Sequence, residues 1–219
     1  EFTYGGVLKH HRTEDSKKKL KIDKFIDFSS INLIKFPVSK LESIYKPRKL
    51  QNKSSYQIYS ALFIFEIVKF ISQKVEIENM SEKVSIGIIA AYRAQTDLID
   101  KLFASSDIDS LKNVKIKVGT IHSFQGDECD IVFAVFNSPP EISNSPGLFL
   151  NNKNIINVAI SRTKDYLFVL MPDEKTDKIE LLNFLNKAED LCKQGEFFEY
   201  SSNEIEKLIW NNENYLENN

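Results

Sequence analysis

The chain is predicted to be an α/β protein built on a mainly parallel sheet with helices on both faces. Three observations predict it. Five short apolar runs alternate with longer stretches of helical periodicity, the pattern of strands joined by crossover helices. The stretch from Tyr56 to Gln73 is apolar on nearly every face, as a helix buried within a larger fold is. The stretch from Thr96 to Ala104 instead sets Leu98, Ile99, Leu102 and Phe103 at helical spacing on one side, suited to packing on a sheet.

Taken in order, Lys9 to Lys24 is Lys-rich and without clear periodicity. It is expected to be a loop or insertion, either a solvated flank or a contact to a nucleic-acid backbone. Strands are expected at Asn32 to Phe36, Val84 to Ala90, Val114 to Thr120, Asp130 to Phe136 and Tyr166 to Met171. Ser54 and Ser55 are candidate N-caps for the first helix, because a serine hydroxyl accepts from the orphan N–H groups of a first turn. Pro139, Pro140, Ser143, Asn144, Ser145, Pro146 and Gly147 make a turn-rich loop, either a functional flap or plain connection. A third helix is expected from Asn152 to Ser161, with Ile155, Ile156, Val158, Ala159 and Ile160 inward. From Asp177 the chain reads as helical and acidic, with a stripe of Ile179, Leu181, Leu182, Phe184 and Leu185. A short helix around Ile205, Leu208, Ile209 and Trp210 follows. The expected organisation is one α/β domain over residues 1–173, with 9–24 as loop or insertion, and a helical, acidic C-terminal extension over 174–219.

At 219 residues and 42% hydrophobic, the chain can bury a core of ordinary size. Its formal net charge of −2, with 27% charged residues, argues against a polycation that grips nucleic acid through bulk charge, so any such contact has to be local. Cys129 and Cys192 are its two cysteines, and neither a C-x-x-C nor a Cys/His cluster surrounds them. A disulfide framework or zinc site is therefore not indicated, and a reducing, cytoplasmic setting is expected. The apolar runs fall short of the roughly 20 residues a membrane span needs, and no membrane partner is expected. His10, His11 and His122 are not at metal-ligand spacing, no pair of carboxylates stands out as an acid/base couple, and no serine or cysteine sits in a nucleophile elbow.

Chemistry concentrates at two places. In an open parallel sheet, ligands bind where strands deliver their carboxyl ends, and Val118-Gly119-Thr120-Ile121-His122-Ser123-Phe124-Gln125-Gly126-Asp127-Glu128 runs from such a strand into a polar loop. A hydroxyl and backbone N–H groups there can meet phosphate oxygens, and Gly126 lets the main chain come close. The alternative is an ordinary turn between strands. Further on, Asn157-Val158-Ala159-Ile160-Ser161-Arg162-Thr163-Lys164 carries one arginine near a helix end, either a phosphate ligand with a fixed fork of donors or a surface charge that favours the helix C-terminus. No G-x-x-x-x-G-K-S/T sequence occurs, so the backbone cradle for β- and γ-phosphates is missing, and this chain alone is expected not to hydrolyse ATP.

These two runs resemble the fifth and sixth motifs of superfamily 1 helicases, in the branch that includes the nonsense-mediated-decay RNA helicases and their DNA-acting relatives. Ile86-Gly87-Ile88-Ile89-Ala90-Ala91-Tyr92-Arg93-Ala94-Gln95 resembles the family's strand ending in T-P-Y-x-x-Q, with Ala90 and Ala91 in place of Thr and Pro. Glu1-Phe2-Thr3-Tyr4-Gly5-Gly6-Val7-Leu8 resembles an F-x-Y-x-G-x-L segment at the start of the second motor domain, and Ser55-Tyr56 resembles the S-Y that opens a helix there. The family commonly has a basic residue where this chain has Ile155. The resemblance implies a RecA-like, P-loop NTPase-type fold and an ATP-dependent helicase or translocase of which this chain is the second motor domain. ATP and Mg²⁺ would be held mainly by the missing first RecA-like domain of the same parent, and the partner would be single-stranded DNA or RNA. It further implies that Arg162 and Gln125 serve catalysis, Arg162 as an arginine finger and Gln125 as a link between sites. Gly126, Glu128 and Arg162 would line the ATP, and Thr120, His122, Ala91 and Tyr92 the strand, with Thr120 and Gly126 expected at one common edge of the sheet. The rival readings are a non-catalytic nucleic-acid-binding or scaffold module that keeps the fold, and an unrelated α/β nucleotide-binding enzyme.

Overall fold

Strand parity decides the architecture. A computed structural model describes residues 31–36, 42, 44–52, 54–77, 83–107, 111–124, 126–136, 161–172 and 198–218. In it β1 (Ile31–Phe36), β4 (Val84–Ala90), β5 (Val114–Thr120), β6 (Cys129–Val135), β7 (Thr163–Pro172) and β8 (Phe198–Ser201) form one sheet in the order β5-β4-β6-β7-β1-β8. Every neighbouring pair in it is parallel. A separate two-stranded antiparallel ribbon joins β2 (Arg48–Lys49) to β3 (Ser55–Tyr56).

On one face, Phe36, Ile86, Ile88, Ile131, Phe133, Phe168 and Leu170 form a single core with the helices. The alternate residues Leu33, Ile89, Val132, Ala134, Leu167 and Met171 are buried as well. Burial on both faces is what an all-parallel sheet requires, and it explains why β4 and β6 read as continuous apolar runs. Lys115 and Lys117 lie on the edge strand β5, a placement that discourages pairing with another chain.

The described helices are α1 (Ile58–Ile77), α2 (Arg93–Ala104), α3 (Ser202–Trp210) and α4 (Tyr215–Asn218). Helix α1 buries Tyr59, Phe63, Ile64, Ile67 and Ile71 in the core, while Phe65 meets Phe103 of α2 at 5.3 Å between ring centroids. A helix flanked on two sides has to be apolar on most of its circumference, as its sequence is. The five expected strands correspond to β1 and β4 to β7, with β7 beginning at Thr163 rather than Tyr166. The helix expected up to Ser161, the Lys9 to Lys24 stretch, the turn-rich loop and the stripe from Ile179 to Leu185 fall outside the described residues, Ser161 itself excepted.

Two local expectations are corrected. Ser54 and Ser55 do not cap α1. The backbone of Ser55 pairs with Lys49 in the ribbon, and the Ser54 hydroxyl accepts from the Ala94 N–H of α2 at 2.9 Å. The start of α1 is instead held by Gln95, whose Oε1 accepts from Gln57 N at 2.7 Å and whose Nε2 donates to Gln57 O at 3.3 Å. The C-terminal stretch is also not wholly helical. Phe198–Ser201 extends the sheet beside β1, with an ion pair of 2.8 Å from Lys35 to Glu199. Behind it α3 opens on a capping box between Ser201 and Glu204. That helix is fastened to α1 through the Tyr59 hydroxyl, which donates to the Glu206 carboxylate and lies 2.7 Å from Ser202 Oγ.

Candidate functional site

At the carboxyl edge, Ala90 stands opposite Thr120 in the β4–β5 register, so the turn into α2 and the turn after β5 leave the sheet side by side. Thr120 is half-buried and its carbonyl accepts the Ser123 hydroxyl at 2.6 Å. His122 is exposed on the 3-10 turn Ile121–Phe124. Tyr92 is the N-cap residue of α2. Half-buried, its phenol is pushed up to about 12 by burial, so it stays a neutral aromatic surface with a hydroxyl. Ala91 is only 6% exposed, and what it can offer a ligand is backbone.

From Thr120 the chain turns back across the sheet. Phe124 packs where β4 and β5 carry Gly87 and Gly119: a Cβ at Gly87 would stand 3.0 Å from Phe124 Cε1, and one at Gly119 would stand 2.0 Å from Ser123 Oγ and 3.2 Å from Phe124 Cε2. Two missing methyl groups therefore make the seat for one ring, close approach being a use of glycine within strands. Lys117 of β5 donates to Ser123 O at 3.0 Å and to the Asp127 carboxylate, and its Nζ lies 4.8 Å from the Phe124 ring centroid. That bond and the lysine's charge hold the Asp127 carboxyl below the usual range, with smaller contributions from Arg162 and Lys115.

Gly126 has φ +89°, in the region that favours glycine, and a Cβ there would meet nothing within 4 Å. With Asp127 and Glu128 it is exposed. The loop ends at Cys129, whose N–H donates to Arg162 O at 2.9 Å and whose Cα stands opposite Thr163 at the amino end of the sheet. Arg162 is half-buried and donates from Nε and Nη2 to Ser161 Oγ at 3.3 and 3.0 Å. It makes no ion pair among the described residues. The amino ends of β4 and β6 are tied by Asp130, whose Oδ2 accepts from Ser85 N and Oγ at 2.9 and 2.7 Å.

The expectation of one common edge is therefore overturned. Thr120, Tyr92 and Ala91 gather at the carboxyl edge, whereas Glu128 and Arg162 gather at the amino edge, with Gly126 on the segment between. Parallel strands impose this separation: β5 ends at one edge and β6 has to start at the other, so a connection without a long helix crosses the sheet. Gln125 lies outside the described residues.

Charge at the amino edge is mixed. The Arg162 guanidinium donates to the neighbouring Ser161 hydroxyl, Lys115 and Lys164 bring positive charge, and Asp127 and Asp130 bring negative charge. Among the described residues no group of three or more His, Cys, Asp or Glu could hold a metal ion.

Sequence reasoning missed Lys117 and the pair Gly87 and Gly119. The glycines were detectable in principle, since a glycine inside a strand pattern marks a close approach. Lys117 had no such signal, because alternating lysines on an edge strand look like solvation.

Comparison with known proteins adds two findings. A family model described as AAA domain (AAA_12) matches residues 1–174. The replicase polyprotein 1ab of Alphamesonivirus 1 (isolate Aedes harrisoni/Cote d'Ivoire/C79/2004) is 33% identical over 133 residues, 60% of this chain. The matched region is 2% of that polyprotein, so the chain spans a small part of the relative's length.

Proposed function

From the premise that this chain belongs to the AAA domain family, as a helicase-type domain of superfamily 1, we propose that it is the second RecA-like domain of an ATP-dependent helicase or translocase working on single-stranded nucleic acid. Within superfamily 1 we place it in the branch of the nonsense-mediated-decay helicases, on the strength of the Val118 to Glu128 and Asn157 to Lys164 runs, and we expect it to work in the cytoplasm.

One observation carries the reading. Two groups of polar and aromatic residues occupy opposite edges of one sheet, and a single short loop joins them. In this reading Thr120, His122, Tyr92 and the backbone of Ala91 take the strand at the carboxyl edge, chiefly through phosphate contacts and one aromatic face. Gly126 and Glu128 lie beside the nucleotide, whose β- and γ-phosphates and Mg²⁺ belong to the first domain of the same parent. Arg162 presents planar donors to the phosphoryl oxygens as charge builds on them, so it contributes when the two domains close and not before. Gln125, between the two groups in sequence, passes the state of one to the other.

The test is a strand-displacement assay of the parent protein on DNA and RNA duplexes with single-stranded tails. ATP-dependent unwinding of one or both supports the proposal, and binding without hydrolysis or unwinding favours a scaffold.

A further inference from the structure

Lys117 makes an unusual set of contacts for a lysine on an edge strand. All three of its contacts above fall on the segment between Thr120 and Glu128: the Ser123 carbonyl, the Asp127 carboxylate and the Phe124 ring. The same segment is tied back to the strand end by the Ser123 hydroxyl on Thr120 O, and forward to the amino edge by Cys129 N on Arg162 O. Ser123 and Asp127 flank the turn at Gly126, where an added Cβ would meet nothing within 4 Å. An ammonium group with three donors is suited to bridging a carbonyl and a carboxylate in this way.

We propose that Lys117 is a positioning residue that holds the loop between Thr120 and Glu128 in the one path that links the strand side to the nucleotide side. This rests on the helicase reading given above. Lys117 itself touches neither ligand. It fixes where Gly126 and Glu128 stand relative to Thr120, so that a strand bound at one edge sets the geometry of the other. Asp127 is its counterpart on the loop. Without the pair, the two ends keep their own contacts but no longer report to each other.

Two measurements test this. In this chain, Lys117→Met keeps an apolar stem against Phe124 while losing the donors. Amide hydrogen exchange should quicken through Ser123 to Glu128 and stay unchanged in Val84 to Ala90, and unchanged exchange in the loop overturns the proposal. In the parent protein, Lys117→Met should lower the stimulation of ATP hydrolysis by single strand by roughly 5-fold or more, as loss of a coupling free energy does. Basal hydrolysis, the KM for ATP and the melting temperature should change little. Lys117→Arg should keep most of the stimulation, and Lys117→Glu with Asp127→Lys should regain part of what Lys117→Glu alone loses. A Lys117→Met protein stimulated as fully as wild type overturns the proposal and leaves the helicase reading intact. A wild-type parent that single strands do not stimulate sinks both.

Discussion

The N–H of Cys129 donates to the carbonyl of Arg162 at 2.9 Å, which pins the arginine's backbone against the end of the Gly126 to Glu128 loop. Asp127 and Arg162 are close enough that the guanidinium helps to hold the Asp127 carboxyl below its ordinary range. Glu128 of one run and Arg162 of the other are thus brought close together at the amino edge of the sheet.

Gly119→Ala tests the seat of Phe124. The added Cβ would stand 2.0 Å from Ser123 Oγ, a hydroxyl already committed to Thr120 O, and 3.2 Å from both Ser123 Cβ and Phe124 Cε2. Overpacking of this kind costs about 1–3 kcal/mol. Urea denaturation of this chain should show that loss, and Ser123→Ala in the same background should return part of it. A Gly119→Ala chain as stable as wild type would mean that the loop does not rest on β5.

The burial of Glu206 gives the pH dependence of stability a definite expected sign. Its side chain is buried, 1% exposed, and burial raises its carboxyl above the ordinary glutamate value, against the opposing bonds from Tyr59 and the Leu216 N–H. The folded state holds the proton more tightly than the unfolded one. This contribution to stability is present below the unfolded pKa and is lost as pH rises through the folded one. Guanidinium titrations from about pH 4 to pH 7 should therefore show Glu206→Gln gaining on wild type as pH rises. A stability difference that stays flat across the range would contradict the assignment.

Gln57 is fully buried, yet its Nε2 and Oε1 have no hydrogen-bond partner among the described residues, while its backbone is held by Gln95. An unsatisfied buried polar group costs about 1–3 kcal/mol, and an apolar group of the same shape does not. Gln57→Met should raise the urea midpoint by the equivalent of about 1 kcal/mol. A lower midpoint would show that the amide has a partner.

How much of this was legible in the sequence depended on whether the signal was local. The strands β4 and β6 were readable because burial on both faces forces unbroken apolar runs, β5 because its apolar residues alternate with Lys115 and Lys117, and α1 because flanking on two sides forces apolarity on most of its circumference. Ser54 was misassigned because a hydroxyl before a helical stretch looks like that helix's cap, and only the ribbon with Arg48–Lys49 turns it toward α2. Strand β8 was missed because its four residues sit in acidic, helix-like surroundings and are strand only by virtue of β1 beside them. Pattern singled out the motif residues, but their division between two edges was not legible, since sequence spacing carries no sheet direction. Lys117 escaped for the same reason: its partners are set by where the chain turns back.

The central claim is that Arg162 completes a nucleotide site shared with a first motor domain, and the turnover of Arg162→Ala in the parent protein tests it most directly. The expected result is a fall in single-strand-stimulated ATP hydrolysis by roughly a thousandfold or more, with ATP and strand binding largely retained. Lysine at the position should restore little, because a point charge does not reproduce the planar fork. Near-normal turnover in Arg162→Ala would contradict the account and leave a domain that keeps the fold and binds without driving a motor.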